Sequence, residues 1–248
     1  MRCIFRLVLG FCGSLGCYGT LEALDLEFYY NDWATHQPVL YEIATHTAGP
    51  IIEFGCGNGS TPLLHAVCKA TNRLLISIDD DEAWVKKFAQ KYKGDGYEED
   101  NSGWHKFFFV PGRTESSYDF EYWITFLDNF EFLKTTSFDL CFVDQHPGLA
   151  RSETVRRLKD KVKFIILHDC DCYVSGQQEL GHLLSPIDAD HNIPGVYDFS
   201  PSFKFSKVYF PAKPWPARSG PPTLLGSNFE DYIPEIDYDT YPRQISDD

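Results

Sequence analysis

Short, wholly apolar runs alternate along the chain with segments in which apolar and polar positions are mixed. Residues 50–54 (PIIEF), 73–78 (RLLISI), 104–110 (WHKFFFV), 138–143 (FDLCFV) and 162–167 (VKFIIL) are each of strand length and largely free of polar alternation. Between them, residues 61–71, 81–92, 121–132 and 150–159 carry the pattern of amphipathic helices. A further helix is predicted around residues 38–43, before the stop signal Gly49-Pro50. Strands that are apolar on both sides belong to a parallel sheet covered on both faces, so the expected fold is α/β and doubly wound. Such a sheet binds ligands beyond the carboxyl ends of its strands.

The pattern changes after residue 170. Residues 195–210 (GVYDFSPSFKFSKVYF) suggest two strands around a Ser-Pro turn, an antiparallel addition to one sheet edge. From Pro211 onward seven prolines fall in 38 residues among acids and tyrosines, and residues 211–248 are expected to be a tail with little structure of its own. At the other end, Arg2 and Arg6 precede an uncharged, mostly apolar run, with small residues at Cys17 and Gly19. Residues 1–19 read as a secretory signal, too short to span a bilayer comfortably, which leaves residues 20–210 as one domain. A secreted or secretory-pathway location follows from that signal, and a cytoplasmic one if it is no signal. The five cysteines that remain cannot all pair, and Cys170 and Cys172 lack both the zinc and the redox spacing, so reduced thiols are expected.

Charge narrows the partners. A net charge of −14 argues against nucleic acid, whose phosphates need a basic face, and against anionic membranes. The basic residues between Arg151 and Lys163 are interspersed with Glu153 and Asp160 and read as a solvated helix face.

The first apolar strand runs into IIEFGCGNGSTP, with glycines at 55, 57 and 59. A P-loop would need Lys followed by Ser or Thr, and a dinucleotide turn would need glycine where Ser60 stands. Glu53 would repel a pyrophosphate and suit a ligand carrying an ammonium or sulfonium. With these residues, the stretch resembles motif I of the class I S-adenosylmethionine-dependent methyltransferases. Asp79, closing the second strand, resembles the acid that in this family holds the ribose hydroxyls. FDLCFVD, ending at Asp144, resembles the family's fourth strand, and the pair at 195–210 its final antiparallel hairpin. The resemblance implies a Rossmann-like, mostly parallel sheet of seven strands, S-adenosylmethionine as cofactor, and Glu53, Gly55, Gly57, Gly59, Asp79 and Asp144 as its binding residues.

Methyl transfer to a hydroxyl needs a group to take up the proton. Candidates cluster at strand ends: Asp144 and His146 after the fourth strand, His168 and Asp169 after the fifth. Trp33 and His36, ahead of the first helix, are candidate acceptor contacts. Metal-dependent members of the family pair an acid after the fourth strand with Asp-Asn after the fifth. Asp144 and Asp169 match, but Cys170 replaces the Asn, which makes Mg²⁺ doubtful and favours a histidine base. The absence of an N-P-P-Y or D-P-P-Y quartet disfavours amino methylation, leaving a hydroxyl of a small molecule or carbohydrate as the expected acceptor. Two rivals stand beside this reading: a secreted or surface binding protein that keeps the fold without catalysis, and a nicotinamide-dependent oxidoreductase weakened by Ser60. Oligomeric state is not legible.

Overall fold

The computed structural model describes residues 33–115, 119–170, 202–209 and 221–238, together with the backbone of two short strands at 182–184 and 196–198. The signal expected at residues 1–19 lies outside these residues. Along the described chain run α1 (Gln37–His46), β1 (Ile51–Phe54), α2 (Thr61–Thr71), β2 (Leu75–Asp79), α3 (Glu82–Tyr92) and β3 (His105–Phe109). Then come α4 (Glu121–Asn129), α5 (Phe132–Thr135), β4 (Leu140–Val143), α6 (Gly148–Leu158) and β5 (Phe164–His168). Four strands follow: β6 (His182–Leu184), β7 (Val196–Asp198), β8 (Phe205–Tyr209) and β9 (Thr223–Ser227).

Seven strands form one sheet in the order β3-β2-β1-β4-β5-β9-β8, parallel through β5 and antiparallel at β9 and β8. This is the Rossmann-like doubly wound sheet with a C-terminal antiparallel pair that the sequence implies. Inside the apolar strands alternate residues part to opposite faces. Ile51, Leu75, Leu140, Phe142 and Ile166 pack with Leu40 of α1 and Leu64 of α2. Ile52, Ile76, Cys141 and Ile165 pack with Trp123 of α4 and Val155 of α6. Both faces are apolar because helices cover both, which is why the runs lack polar alternation. Four cysteines, Cys56, Cys68, Cys141 and Cys170, are buried and unbridged, as reduced thiols would be.

The C-terminal pair differs from the expected one. β7 pairs with β6 in a separate two-stranded sheet, and the partner of β8 is β9, from the segment expected to be an unstructured tail. β9 (TLLGS) is wholly buried between β5 and β8, and residues beyond it pack on the core through Tyr238. The glycine in its middle is a packing requirement: a Cβ on Gly226 would stand 2.4 Å from the Phe203 ring. The ordered fold therefore reaches past residue 210. Among the described residues no helix is long and apolar enough to cross a membrane.

The strand order reverses between β1 and β4, whose ends lie side by side. Loops after the two strands leave the sheet in opposite directions there, and the crevice between them is where this architecture takes its ligands.

Candidate active site at the carboxyl ends of the strands

The glycine turn between β1 and α2 opens into that crevice, and its three glycines have different physical causes. Gly55 has φ +95, and a Cβ there would stand 2.6 Å from the Asp144 backbone. Only glycine lets the end of β1 pass so close to the end of β4. A Cβ on Gly59 would meet His36 Nε2 at 3.1 Å and Ala34 Cβ at 3.2 Å. Of the three, Gly57 alone has room for a Cβ, whose nearest neighbour would be Ser60 Oγ at an ordinary contact distance of 3.6 Å. The Gly55 and Gly59 positions are thus explained by the protein's own packing, and Gly57 is where a ligand can approach the backbone.

Asp79, at the end of β2, ties this turn to the next strand. Its Oδ2 accepts the Cys56 N–H at 2.6 Å, and its Oδ1 accepts the Asp81 N–H at 2.7 Å. Burial pushes its carboxyl up to about 7 against the pull of those two N–H groups. The capping of α3 falls to Asp81, which accepts from Ala83 N–H and Trp84 N–H. Asp79 is therefore free of helix-capping duty and keeps acceptor capacity toward the crevice. Asp80, buried beside it, accepts the Tyr122 hydroxyl at 2.6 Å and lies 3.5 Å from Arg113 Nη1.

Glu53 sits beneath the turn and not on its open side. It is fully buried, with Thr61 Oγ1 donating at 3.0 Å and Ser77 Oγ at 2.7 Å. Thr61 Oγ1 in turn accepts the Gly57 N–H at 3.0 Å, so the carboxylate holds the turn through one hydroxyl. This corrects the expectation that Glu53 presents itself directly to a cofactor: on β1 its side chain points to the face covered by α2. Behind Ser77 the chain of bonds continues through His105 (Nε2 3.0 Å from Ser77 Oγ) to His65 (Nδ1 2.9 Å from His105 Nδ1). Because the Ser77 proton goes to Glu53, Ser77 accepts from His105 Nε2–H, and His105 Nδ1 accepts from His65 Nδ1–H. Burial holds both imidazoles down toward the neutral form, His65 at about 4.

On the other side of the turn, His36, Asp144 and His168 converge from three elements. His36 precedes α1, Asp144 follows β4, and His168 ends β5. The His36 and His168 rings lie edge to face at 4.3 Å, and both residues are almost completely buried, 3% and 1% exposed. His168 Nδ1 stands 3.2 Å from Asp144 Oδ2. On the opposite edge, His168 Nε2 is 3.2 Å from Thr35 Oγ1, whose own proton goes to the Pro221 carbonyl at 2.6 Å. Burial opposes charge on His168, but the Asp144 carboxylate outweighs it and raises the imidazole above its ordinary value. His36 has no carboxylate so close, and burial and His168 hold it well below.

Arg151 of α6 closes the site from below. It reaches Asp144 Oδ1 and Asp169 Oδ2, each at 3.0 Å, and donates to the carbonyls of Gln145 and His168. The expected solvated helix face therefore fails at this residue, whose side chain is only 12% exposed. The same contacts test the pairing of Asp144 with Asp169 as a Mg²⁺ site. A guanidinium already bridges the two carboxylates, and Cys170 supplies no oxygen, so this pair does not suit Mg²⁺.

The remaining expected residues lie farther out. His146 is exposed beside the crevice, its imidazole lowered first by partial burial and then by Arg113. Trp33 is 70% exposed, whereas His36, expected to share its role at the acceptor, is buried under Gly59. Sequence reasoning did not single out Thr35, Asp80 or Arg151. For Arg151 the available signal was its place in the first turn of the helix that follows Asp144, within reach of both acids.

No protein-family model and no curated protein matches the chain. Solved structures similar to it include an rRNA methylase from Streptococcus thermophilus, with 10% identity over 77% of this chain and 94% of that one and a TM-score of 0.45. Human methyltransferase 10 domain containing protein shows 12% identity over 80% and 83%, with a TM-score of 0.44. A Staphylococcus aureus protein described as a caffeoyl-CoA O-methyltransferase shows 10% identity over 81% and 85%, with a TM-score of 0.46. Likeness at this level selects neither cofactor nor acceptor.

Proposed function

We propose that the chain is an S-adenosylmethionine-dependent methyltransferase acting on a hydroxyl of a small molecule or carbohydrate. The observation that carries this reading is the joining of the glycine turn to Asp79 at the switch point, with Gly57 open to a ligand. S-adenosylmethionine supplies a methyl group on a positively charged sulfur. Gly57 and Asp79 are the residues to hold it, Asp79 by accepting hydrogen bonds from its hydroxyls and Gly57 by letting it lie against a Cα that carries no side chain. Glu53 acts as a positioning residue through Thr61.

Transfer forms an oxygen–carbon bond at the acceptor as the carbon–sulfur bond breaks and the sulfur becomes a neutral thioether. The acceptor's hydroxyl proton must leave at the same time. The His168–Asp144 pair is the base for that proton, since Asp144 stabilises the imidazolium that results. Asp169 and Arg151 fix the pair in place. Acidity of the whole chain favours a neutral or cationic acceptor over nucleic acid. Residues 1–19, read as a leader, point to a glycan of the secretory route.

Calorimetric titration of the full chain with S-adenosylhomocysteine tests the reading, with NAD as the control. Binding at micromolar concentration supports it, and a folded chain that binds no S-adenosylhomocysteine overturns it. His168→Ala is expected to keep that binding and lose turnover by about 10²-fold or more. Normal turnover in this variant would remove His168 from the role of base.

A further inference from the structure

The His36–Asp144–His168 cluster poses a hydrogen-bonding problem that the base assignment leaves unsolved. Thr35 gives its only hydroxyl proton to the Pro221 carbonyl, so toward His168 it can only accept. His168 therefore carries its proton on Nε2, and in the neutral ring the Nδ1 lone pair faces Asp144 Oδ2 across 3.2 Å. Two lone pairs at that distance repel unless something positive stands between them. The distance is that of an ion pair, yet Nδ1 has no hydrogen-bond partner of normal geometry, and the ring nitrogens of His36 have none of normal geometry either among the described residues, the Gly59 backbone lying beside that ring. Three buried imidazole nitrogens without partners in one cluster call for a missing positive group.

One donor atom from each of His36, Asp144 and His168 lies within 4.8 Å of the other two. Ligands held about 2.1 Å from one ion stand roughly 3.0–3.4 Å from each other. The His168–Asp144 separation already has that value, and an approach of the His36 ring from within 4.8 Å completes the set. We propose that His36, Asp144 and His168 bind a divalent transition-metal ion of the zinc class, with Asp144 ligating through Oδ2. Two imidazoles and a carboxylate are a donor set for zinc, manganese or iron and not for Mg²⁺. The surroundings fit a ligand set in two further ways. Thr35 accepts the second ring N–H of His168, as partners of metal-bound imidazoles do, and Arg151 occupies Asp144 Oδ1. Three protein ligands leave a coordination position open, and a hydroxyl bound there loses its proton more readily. With the ion bound, His168 serves as a ligand and the ion takes over from it the task of easing the hydroxyl proton away; that last step rests on the methyltransferase reading, and the ion's binding does not.

The test is a titration of the full chain with Co²⁺ after chelation and dialysis, followed by absorption in the visible range. One Co²⁺ per chain with d–d bands, and displacement by Zn²⁺, is the expected result. His36→Asn and Asp144→Asn should weaken binding by about 100-fold or more, whereas His46→Ala, a histidine at the far end of the same helix, should leave it unchanged. Circular dichroism and thermal melting of each variant show whether it is folded. Wild-type chain that is folded and binds no Co²⁺ overturns the site and leaves a proton on His168 in its place. Equal binding by His36→Asn, or intense near-ultraviolet bands of thiolate ligation, overturns it as well. Wild-type chain that binds S-adenosylhomocysteine but no Co²⁺ sinks the ion alone; wild-type chain that binds Co²⁺ but no S-adenosylhomocysteine sinks the methyltransferase reading and spares the ion.

Discussion

Glu53 makes the stability of this protein fall as pH rises, in contrast to most carboxylates. Burial pushes its carboxyl from an ordinary 4.5 up to about 7, and the hydroxyls of Ser60, Ser77 and Thr61 offset only part of that cost. The folded chain thus holds the proton more tightly than the unfolded chain does. The resulting stabilisation is complete below pH 4.5 and is lost as pH rises through 7. At 1.36 kcal/mol per pH unit, the interval corresponds to about 3 kcal/mol. The groups that face it are Asp79 from β2, which shifts in the same direction, and the neutral His105 behind Ser77. Glu53→Gln removes one titration and keeps the shape. Urea unfolding of both proteins at about pH 5 and about pH 8 gives the comparison, and any fixed cost of the amide cancels between the two conditions. Wild type should lose about 3 kcal/mol more than the variant across the interval. Parallel losses in the two proteins would show that Glu53 is ionised throughout, held charged by its hydroxyl partners.

Gly55→Ala combines a left-handed backbone with a methyl 2.6 Å from the Asp144 backbone. It should destabilise by about 2–5 kcal/mol and lower the melting temperature by roughly 5–15 °C; calorimetric melting within ~2 °C of wild type would refute this. Arg151→Met strips the cation from two carboxylates that share it and should cost about 3 kcal/mol in urea unfolding. Retained stability would mean that solvent screens these acids well despite their partial burial.

The parts of the fold legible in the sequence are those whose cause is local. β1 to β5 announce themselves because strands covered on both faces are apolar at most positions, Glu53 and Ser77 being exceptions that bond each other, and the helices between them follow from periodicity. Asp79 and Asp144 could be placed because a parallel sheet gathers its strand ends on one edge. β9 was hidden for the opposite reason: TLLGS is only five residues long, follows two prolines, and carries a glycine whose purpose is to admit the Phe203 ring from a distant segment. β8 pairs with β9 and not with β7, across a connection from Tyr209 to Thr223 that is too long to announce itself as a hairpin turn. His36 and Arg151 were misplaced for a related reason. His36 reads as an acceptor contact in a polar segment, and Arg151 as a surface residue of a basic helix. Both are buried by acids and rings supplied by β4 and β5.

The three glycines of the turn separate what folding requires from what a ligand requires. Replacing Gly55 would damage the protein whether or not anything binds, because the Asp144 backbone already occupies the space, and a side chain at Gly59 would have to move the His36 ring by a few tenths of an ångström. Gly57 has no such neighbour, and its backbone is outside the left-handed region. Gly57→Ala should therefore leave the melting temperature nearly unchanged, or raise stability by about 0.4–1 kcal/mol through a stiffer unfolded chain. If a cofactor lies against this backbone, the same methyl should weaken S-adenosylhomocysteine binding by about tenfold or more, equivalent to at least ~1.4 kcal/mol. A stable variant with weakened binding locates the ligand at the turn, since no folding defect can explain the loss. A stable variant with unchanged binding would mean that the ligand stays clear of Gly57, and Asp79 would then have to hold it from the other side of the crevice.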